Sequence, residues 1–169
     1  MDQIFEKVER LLIAKGFRFE RKDFNRPWGG FFVIEEAQAP EFTRQYFPDL
    51  PDSDLIEGRK VSPKILLVAP DKRLSWQYHF RRSEVWRVVD GKVGVVRSLT
   101  DDEMPLKTYQ EGDTIVLEQG ERHRLVGLNE WGMVAEIWQH TNPDHPSDED
   151  DIVRLQDDFG RSTPVSQKQ

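Results

Sequence analysis

The sequence predicts an all-β fold, an antiparallel sandwich or barrel, with one amphipathic helix in front of it. Short runs rich in Val, Ile, Phe, Trp and Tyr recur along the chain, separated by Gly, Pro, Asp and Asn. Many short strands with a turn between each pair give a sandwich or barrel. The opening residues, by contrast, repeat with a helical period.

Over residues 2–15, Ile4, Phe5, Val8, Leu11 and Leu12 fall on one helical face, Asp2 is placed to cap the start, and Gly16 follows the end. That apolar stripe needs a surface to cover. Strands are expected near 17–20, 30–36, 62–69, 75–80, 84–90, 92–98, 113–118, 121–128 and 132–140. Asp90-Gly91 is the best hairpin signal in the chain. Residues 37–63 hold four prolines and little alternation, and are expected to form a long excursion over the fold or across an opening. Residues 141–151 are polar and turn-rich. The segment from Ile152 to Arg161 reads as a short helix or turn, and 162–169 as a fraying tail.

Composition narrows the chemistry. The 169 residues suit one domain, with a net charge of -7 and no cysteine. Any metal must therefore be held by nitrogen and oxygen donors. A mean hydropathy of -0.70 implies a heavily charged surface. The acidic balance offers no footprint for nucleic acid, and no apolar run approaches the roughly 18 residues of a membrane span. The first residues lack the pattern of a signal peptide, so a cytoplasmic location is expected.

The informative region runs from Leu74 to Trp86. Residues two apart in a strand share a face, so Gln77 and His79 point the same way, and Glu84 opens the next strand on that side. His123 supplies a second imidazole at the start of a later strand. Two His, one Glu and one Gln suit Zn²⁺, Fe²⁺, Mn²⁺ or Ni²⁺, with positions left open for water or substrate.

The spacing resembles the two cupin motifs. Gln77 and His79 fill the His-x-His positions, four residues lead to Glu84 and six more to Gly91; Gly112, Gly120 and His123 match the second motif. Within cupins, the chain is similar to the type II mannose-6-phosphate isomerase family, also found as the isomerase domain of bifunctional GDP-mannose pyrophosphorylases. Arg26-Pro27-Trp28-Gly29 matches that family's RPWG, and Leu74–Trp86 its LSLQxHxHRAEHW. Gly120–Leu125 matches GxxHRL, and Glu149–Arg161 matches EDDIVRxxDxYGR, with Phe159 for the Tyr. Departures lie at Arg81, Ser83, Val85, Glu118 and Trp138; the four metal-ligand positions are kept.

The resemblance implies a cupin-type double-stranded β-helix (jelly-roll) barrel. Residues 1–22 would form a helix and strand packing on it, 23–161 a single cupin domain, and 162–169 a flexible tail. It implies one divalent metal ion at Gln77, His79, Glu84 and His123, zinc foremost, with Fe, Mn, Ni or Co as alternatives. The implied activity is aldose–ketose isomerisation of a small-molecule sugar phosphate, in a homodimer without nucleic-acid or membrane partners. Glu136, at the same strand parity as Trp138 and His140, is the candidate base or else orients a ligand His. Cations for the phosphate come from Arg81, Arg82, Arg124, Arg154, Arg161 and Lys64. Arg124 stands foremost because it adjoins His123, although strand parity turns it to the opposite face unless the chain bulges. Trp138 is expected to line the pocket. The alternatives are a non-catalytic cupin that binds a sugar or nucleotide sugar, and an Fe²⁺ oxygenase.

Overall fold

A computed structural model describes residues 3–50 and 60–165. Asp2, residues 51–59 of the excursion and residues 166–169 of the tail lie outside the described residues. The chain opens with helix α1 (Gln3–Ala14). Gly16, at φ +90°, lets the chain turn out of the helix, and the N–H of Phe17 bonds the Leu12 carbonyl at 3.0 Å in a Schellman-type end.

Among the described residues eleven strands follow: β1 (Phe19–Arg26), β2 (Gly29–Ile34), β3 (Lys64–Val68), β4 (Trp76–Tyr78), β5 (Arg82–Asp90), β6 (Lys92–Ser98), β7 (Lys107–Gln110), β8 (Thr114–Leu117), β9 (Arg122–Gly127), β10 (Gly132–His140) and β11 (Val153–Gln156). They form two antiparallel sheets. One has the order β1-β2-β3-β10-β5-β8, the other β11-β4-β9-β6-β7. The architecture is the all-β cupin-type jelly roll implied by the resemblance.

Two clusters of buried side chains sandwich the first sheet. Between the sheets lie Trp28, Phe31, Leu66, Val68, Trp86, Val88, Val93, Val95, Ile115, Leu117, Leu125 and Val134. On the outer face, Phe32, Ile34, Ile65, Leu67, Val85 and Ile137 meet Phe5, Val8 and Leu12 of α1. The amphipathic stripe of α1 thus covers the back of the barrel. The excursion contributes there too, through helix α2 (Ala39–Tyr46), whose Phe42 and Tyr46 join the same cluster. Its described part lies on the back of the sheet.

Three expectations are corrected. The Asp90-Gly91 turn does not close a hairpin: β5 and β6 belong to different sheets, and the turn is a corner between them. Gly91 sits at φ +73°, and a Cβ there would lie 2.6 Å from the Trp131 carbonyl oxygen, so the corner needs glycine. The segment after Ile152 is neither helix nor turn at first: Val153–Gln156 adds as strand β11 to the edge of β4. β1 continues to Arg26, well past residue 20. No helix among the described residues is long and apolar enough to cross a membrane.

Candidate metal centre

Strand register sets the inner face of the barrel. Across β3, β10 and β5, Lys64 lies opposite Glu136 and Glu136 opposite Trp86; one step along, Trp138 faces Glu84, and then His140 faces Arg82. Directly opposed residues project to the same side, so these side chains form one continuous surface. In the other sheet, Gln77 of β4 pairs with His123 of β9 and with Arg154 of β11. His79 follows β4 on the same parity.

His79, Glu84 and His123 each offer one ligand atom within 4.8 Å of the others, and all three are buried. Backbone carbonyls fix both imidazoles. His79 Nδ1 lies 2.7 Å from the Asp151 oxygen and His123 Nδ1 lies 3.0 Å from the Glu121 oxygen. A carbonyl only accepts, so each Nδ1 carries a proton, which turns each Nε2 inward toward Glu84. His123 Nε2 is buried without a hydrogen-bond partner among the described residues. A metal ligand requires this state, and burial supports it by pushing the His123 imidazole down to about 4. The donor set therefore fits a divalent ion. Gln77, the fourth expected ligand, is half-buried opposite His123, its amide oxygen accepting the Ser75 hydroxyl at 2.7 Å.

The carboxylates are arranged with equal care for their hydrogen bonds. Glu84 Oε1 lies 2.9 Å from His79 Nε2 and accepts Arg82 Nε at 3.0 Å. Burial opposes its charge, yet His79 and Arg82 hold its carboxyl well below the usual carboxylate range. Glu136 has no such ion pair among the described residues, and Lys64 and Arg82 favour its charge only through space. The Trp86 indole N–H reaches Glu84 Oε2 at 3.1 Å and Glu136 Oε2 at 2.8 Å, while Trp138 donates to Glu136 Oε1 at 3.0 Å. Burial, and then the neighbouring Glu84, push the Glu136 carboxyl up to about 8.

A family model described as mannose-6-phosphate isomerase C-terminal matches residues 50–157. The chain belongs to that family. It is 35% identical over 137 residues to the xanthan biosynthesis protein XanB of Xanthomonas campestris pv. campestris (strain B100), covering 81% of this chain and 23% of XanB. It is 27% identical over 143 residues to a mannose-1-phosphate guanylyltransferase of Sinorhizobium fredii, covering 85% of this chain and 22% of that protein. The chain thus spans under a quarter of the length of these relatives. Vicilin from tomato superposes with a TM-score of 0.53 at 23% identity, over 77% of this chain and 33% of its own. The capsular polysaccharide assembling protein CapF from Staphylococcus aureus gives 0.52 at 12%, over 83% and 34%. Both likenesses are of fold.

Within this member of the isomerase C-terminal family, the expected substrate residues divide. Lys64 is buried on the inner face, paired with Glu149, its ammonium 4.7 Å from the Trp138 ring centroid. Arg154 shares the face of Gln77, donates to the Ser162 carbonyl at 2.7 Å, and keeps a buried Nε without a hydrogen-bond partner among the described residues. Arg81 lies beside Asp148 and Asp151, at 3.5 and 4.0 Å. Trp138 is on the inner face, but the Arg82 guanidinium covers its ring at 3.6 Å. Arg124 is the correction. No bulge intervenes in β9, so it projects to the outer face, where Nε donates to the Leu74 carbonyl at 2.9 Å, Nη1 to Glu103 at 2.9 Å and Nη2 to Gln156. It is fully buried there, away from the imidazoles.

Two contributors escaped the sequence reading. Asp151 is fully buried; its carboxylate accepts the N–H groups of Phe80 and Arg81 at 2.9 and 3.0 Å and the Ser147 hydroxyl, while its carbonyl orients His79. Its place within the matched Glu149–Arg161 motif was the available signal. Trp86 reads as core by composition. Its parity with Glu84, together with the need of a buried indole N–H for an acceptor, pointed to the carboxylates.

Proposed function

We propose that the domain catalyses metal-dependent aldose–ketose isomerisation of a sugar phosphate of the mannose 6-phosphate type. The observation that carries this reading is the sharing of one indole donor by Glu84, beside the two imidazoles, and Glu136, a carboxylate with a raised pKa. Isomerisation moves a proton between adjacent carbons through an enediol, so it needs an electrophile at the oxygens and a base at the carbon.

Gln77, His79, Glu84 and His123 would hold the ion. When bound, the ion supplies Lewis-acid polarisation of the sugar's carbonyl and hydroxyl oxygens. The ionised form of Glu136 takes the proton from C2 of the aldose and returns it to C1, while the hydroxyl proton at O2 passes to O1. The Trp86 and Trp138 N–H groups fix the carboxylate's orientation through both oxygens, which keeps its reach constant through the two transfers. Lys64 sits opposite Glu136 in the ladder and favours its ionised form. Lys64, Arg81 and Arg154 are the cations proposed for the phosphate; what supports Arg154 foremost is that its Nε, beside Gln77 in the ladder, is buried without a hydrogen-bond partner among the described residues.

The test is conversion of mannose 6-phosphate to its ketose by Zn²⁺- or Co²⁺-loaded protein in deuterated water. Metal-dependent turnover with deuterium appearing at the transferred position is expected. Absence of turnover with hexose, pentose and heptose phosphates alike would remove this reading, and tight sugar-phosphate binding without exchange would put a binding module in its place.

A further inference from the structure

Arg82 stands closer to the ligand atoms than any function assigned so far requires. Its Nε donates to Glu84 Oε1 at 3.0 Å, and Nη2 lies 3.3 Å from His79 Nε2, which Asp151 turns inward to within 2.9 Å of the same carboxylate oxygen. Two of the three atoms that offer themselves to an ion are thus already engaged by a fixed positive charge. The guanidinium is also anchored from behind. Nη1 donates to the Ser147 hydroxyl at 2.9 Å and the Asp148 carbonyl at 3.0 Å, and the plane rests 3.6 Å from the Trp138 ring centroid. With Arg82 only 6% exposed and Glu84 2%, little water screens the charge.

We propose that Arg82 is an internal cation that competes with the divalent ion for Glu84 and His79, and so sets the metal affinity of the site. It rests on the reading of His79, Glu84 and His123 as a metal centre. An ion that takes His79 Nε2 and Glu84 Oε1 as ligands displaces Arg82 from both. Ser147, Asp148 and Trp138 then keep the displaced guanidinium within a few ångströms, where it repels the ion. Arginine suits this role because it does not lose its proton in a buried site, as a lysine can. The same charge supplies Glu84 with a partner whether or not an ion is bound, sparing the fold an unpaired buried carboxylate.

The experiment compares the wild-type chain with Arg82→Met, Arg82→Gln and Arg82→Lys by competition for Zn²⁺ and Co²⁺ against a chromophoric chelator, and by melting with and without metal. Arg82→Met keeps the apolar stem on Trp138 and removes the charge; it is expected to bind metal at least tenfold more tightly. It should melt lower than wild type without metal and gain more on loading. Arg82→Gln, neutral yet able to bond Glu84, carries the same expectation if Arg82→Met does not fold. Arg82→Lys should stay within a few-fold of wild type. If wild type binds metal and the folded neutral variants bind it no more tightly, Arg82 is no competitor and the inference falls alone. If neither wild type nor variants bind metal, the metal-centre reading falls and takes the inference with it.

Discussion

Glu84 and Glu136 are joined through one donor, the Trp86 indole N–H, which lies 3.1 Å from the first and 2.8 Å from the second. Two buried carboxylates this close do not both ionise freely, and the shared N–H divides their roles: one is held ionised by His79 and Arg82, the other leans toward its neutral form. Trp86→Phe keeps an aromatic ring but removes the donor and part of the buried indole volume. It should lower thermal stability by about 1–3 kcal/mol, as expected for a buried group left unpaired. Isomerase turnover should fall roughly tenfold or more through misorientation of the base, with substrate affinity little changed. Calorimetry and a kcat-against-KM comparison check both.

His79→Ala and His123→Ala each remove one of two nitrogen donors from a three-residue cluster. Metal analysis after dialysis should show both variants well below one equivalent. Stoichiometric metal in both would place the ion elsewhere.

Without metal, acid should weaken the fold in a definite window. His123 is neutral when folded, its pKa brought from 6.5 to about 4 by burial, so the unfolded chain binds the extra proton first. Stability is complete above pH 6.5 and is lost as pH falls toward 4. Asp151 adds a further loss at lower pH. Against the opposing effect of burial, the Ser147 hydroxyl and the Phe80 and Arg81 N–H groups hold it below 3.8, so its contribution fades as pH falls through the folded value. Melting in chelator across pH 7 to about 3 should show both limbs, and His123→Phe should flatten the first.

Arg124→Met tests the outer-face position of that side chain. Removing a fully buried guanidinium that serves the Leu74 carbonyl, Glu103 and Gln156 should cost about 3 kcal/mol of stability. Turnover per folded molecule at permissive temperature should match wild type. A specific loss of kcat would return Arg124 to the site.

The legible parts of the sequence were those with a strong period or a fixed spacing. Gln77, His79, Glu84 and His123 reach one inner face because parity and motif spacing both demand it, and α1 announces itself by its stripe. β7 was missed because Lys107–Gln110 is largely exposed and shows no apolar alternation. β11 was misread because Ile152 and Leu155 sit at helical spacing before a Gly turn, and an edge strand of four residues carries too few buried positions to contradict them. Within α2, Pro40 lies in the first turn, where proline starts a helix as readily as it interrupts other structure. Arg82 stands in the sequence as one of six candidate phosphate cations; its burial against the ligand cluster follows from Trp138 and the 147–151 segment, which only the folded chain brings near.

The brevity of β4 bears on the order of folding. Its three residues are clamped between β9 and β11, and the carbonyl that orients His79 comes from Asp151, far downstream. The first imidazole therefore cannot settle until the chain has been made beyond residue 156 and the distant edge strand has docked. During synthesis the barrel walls can pair early, while the orientation of His79 waits on contacts distant in sequence.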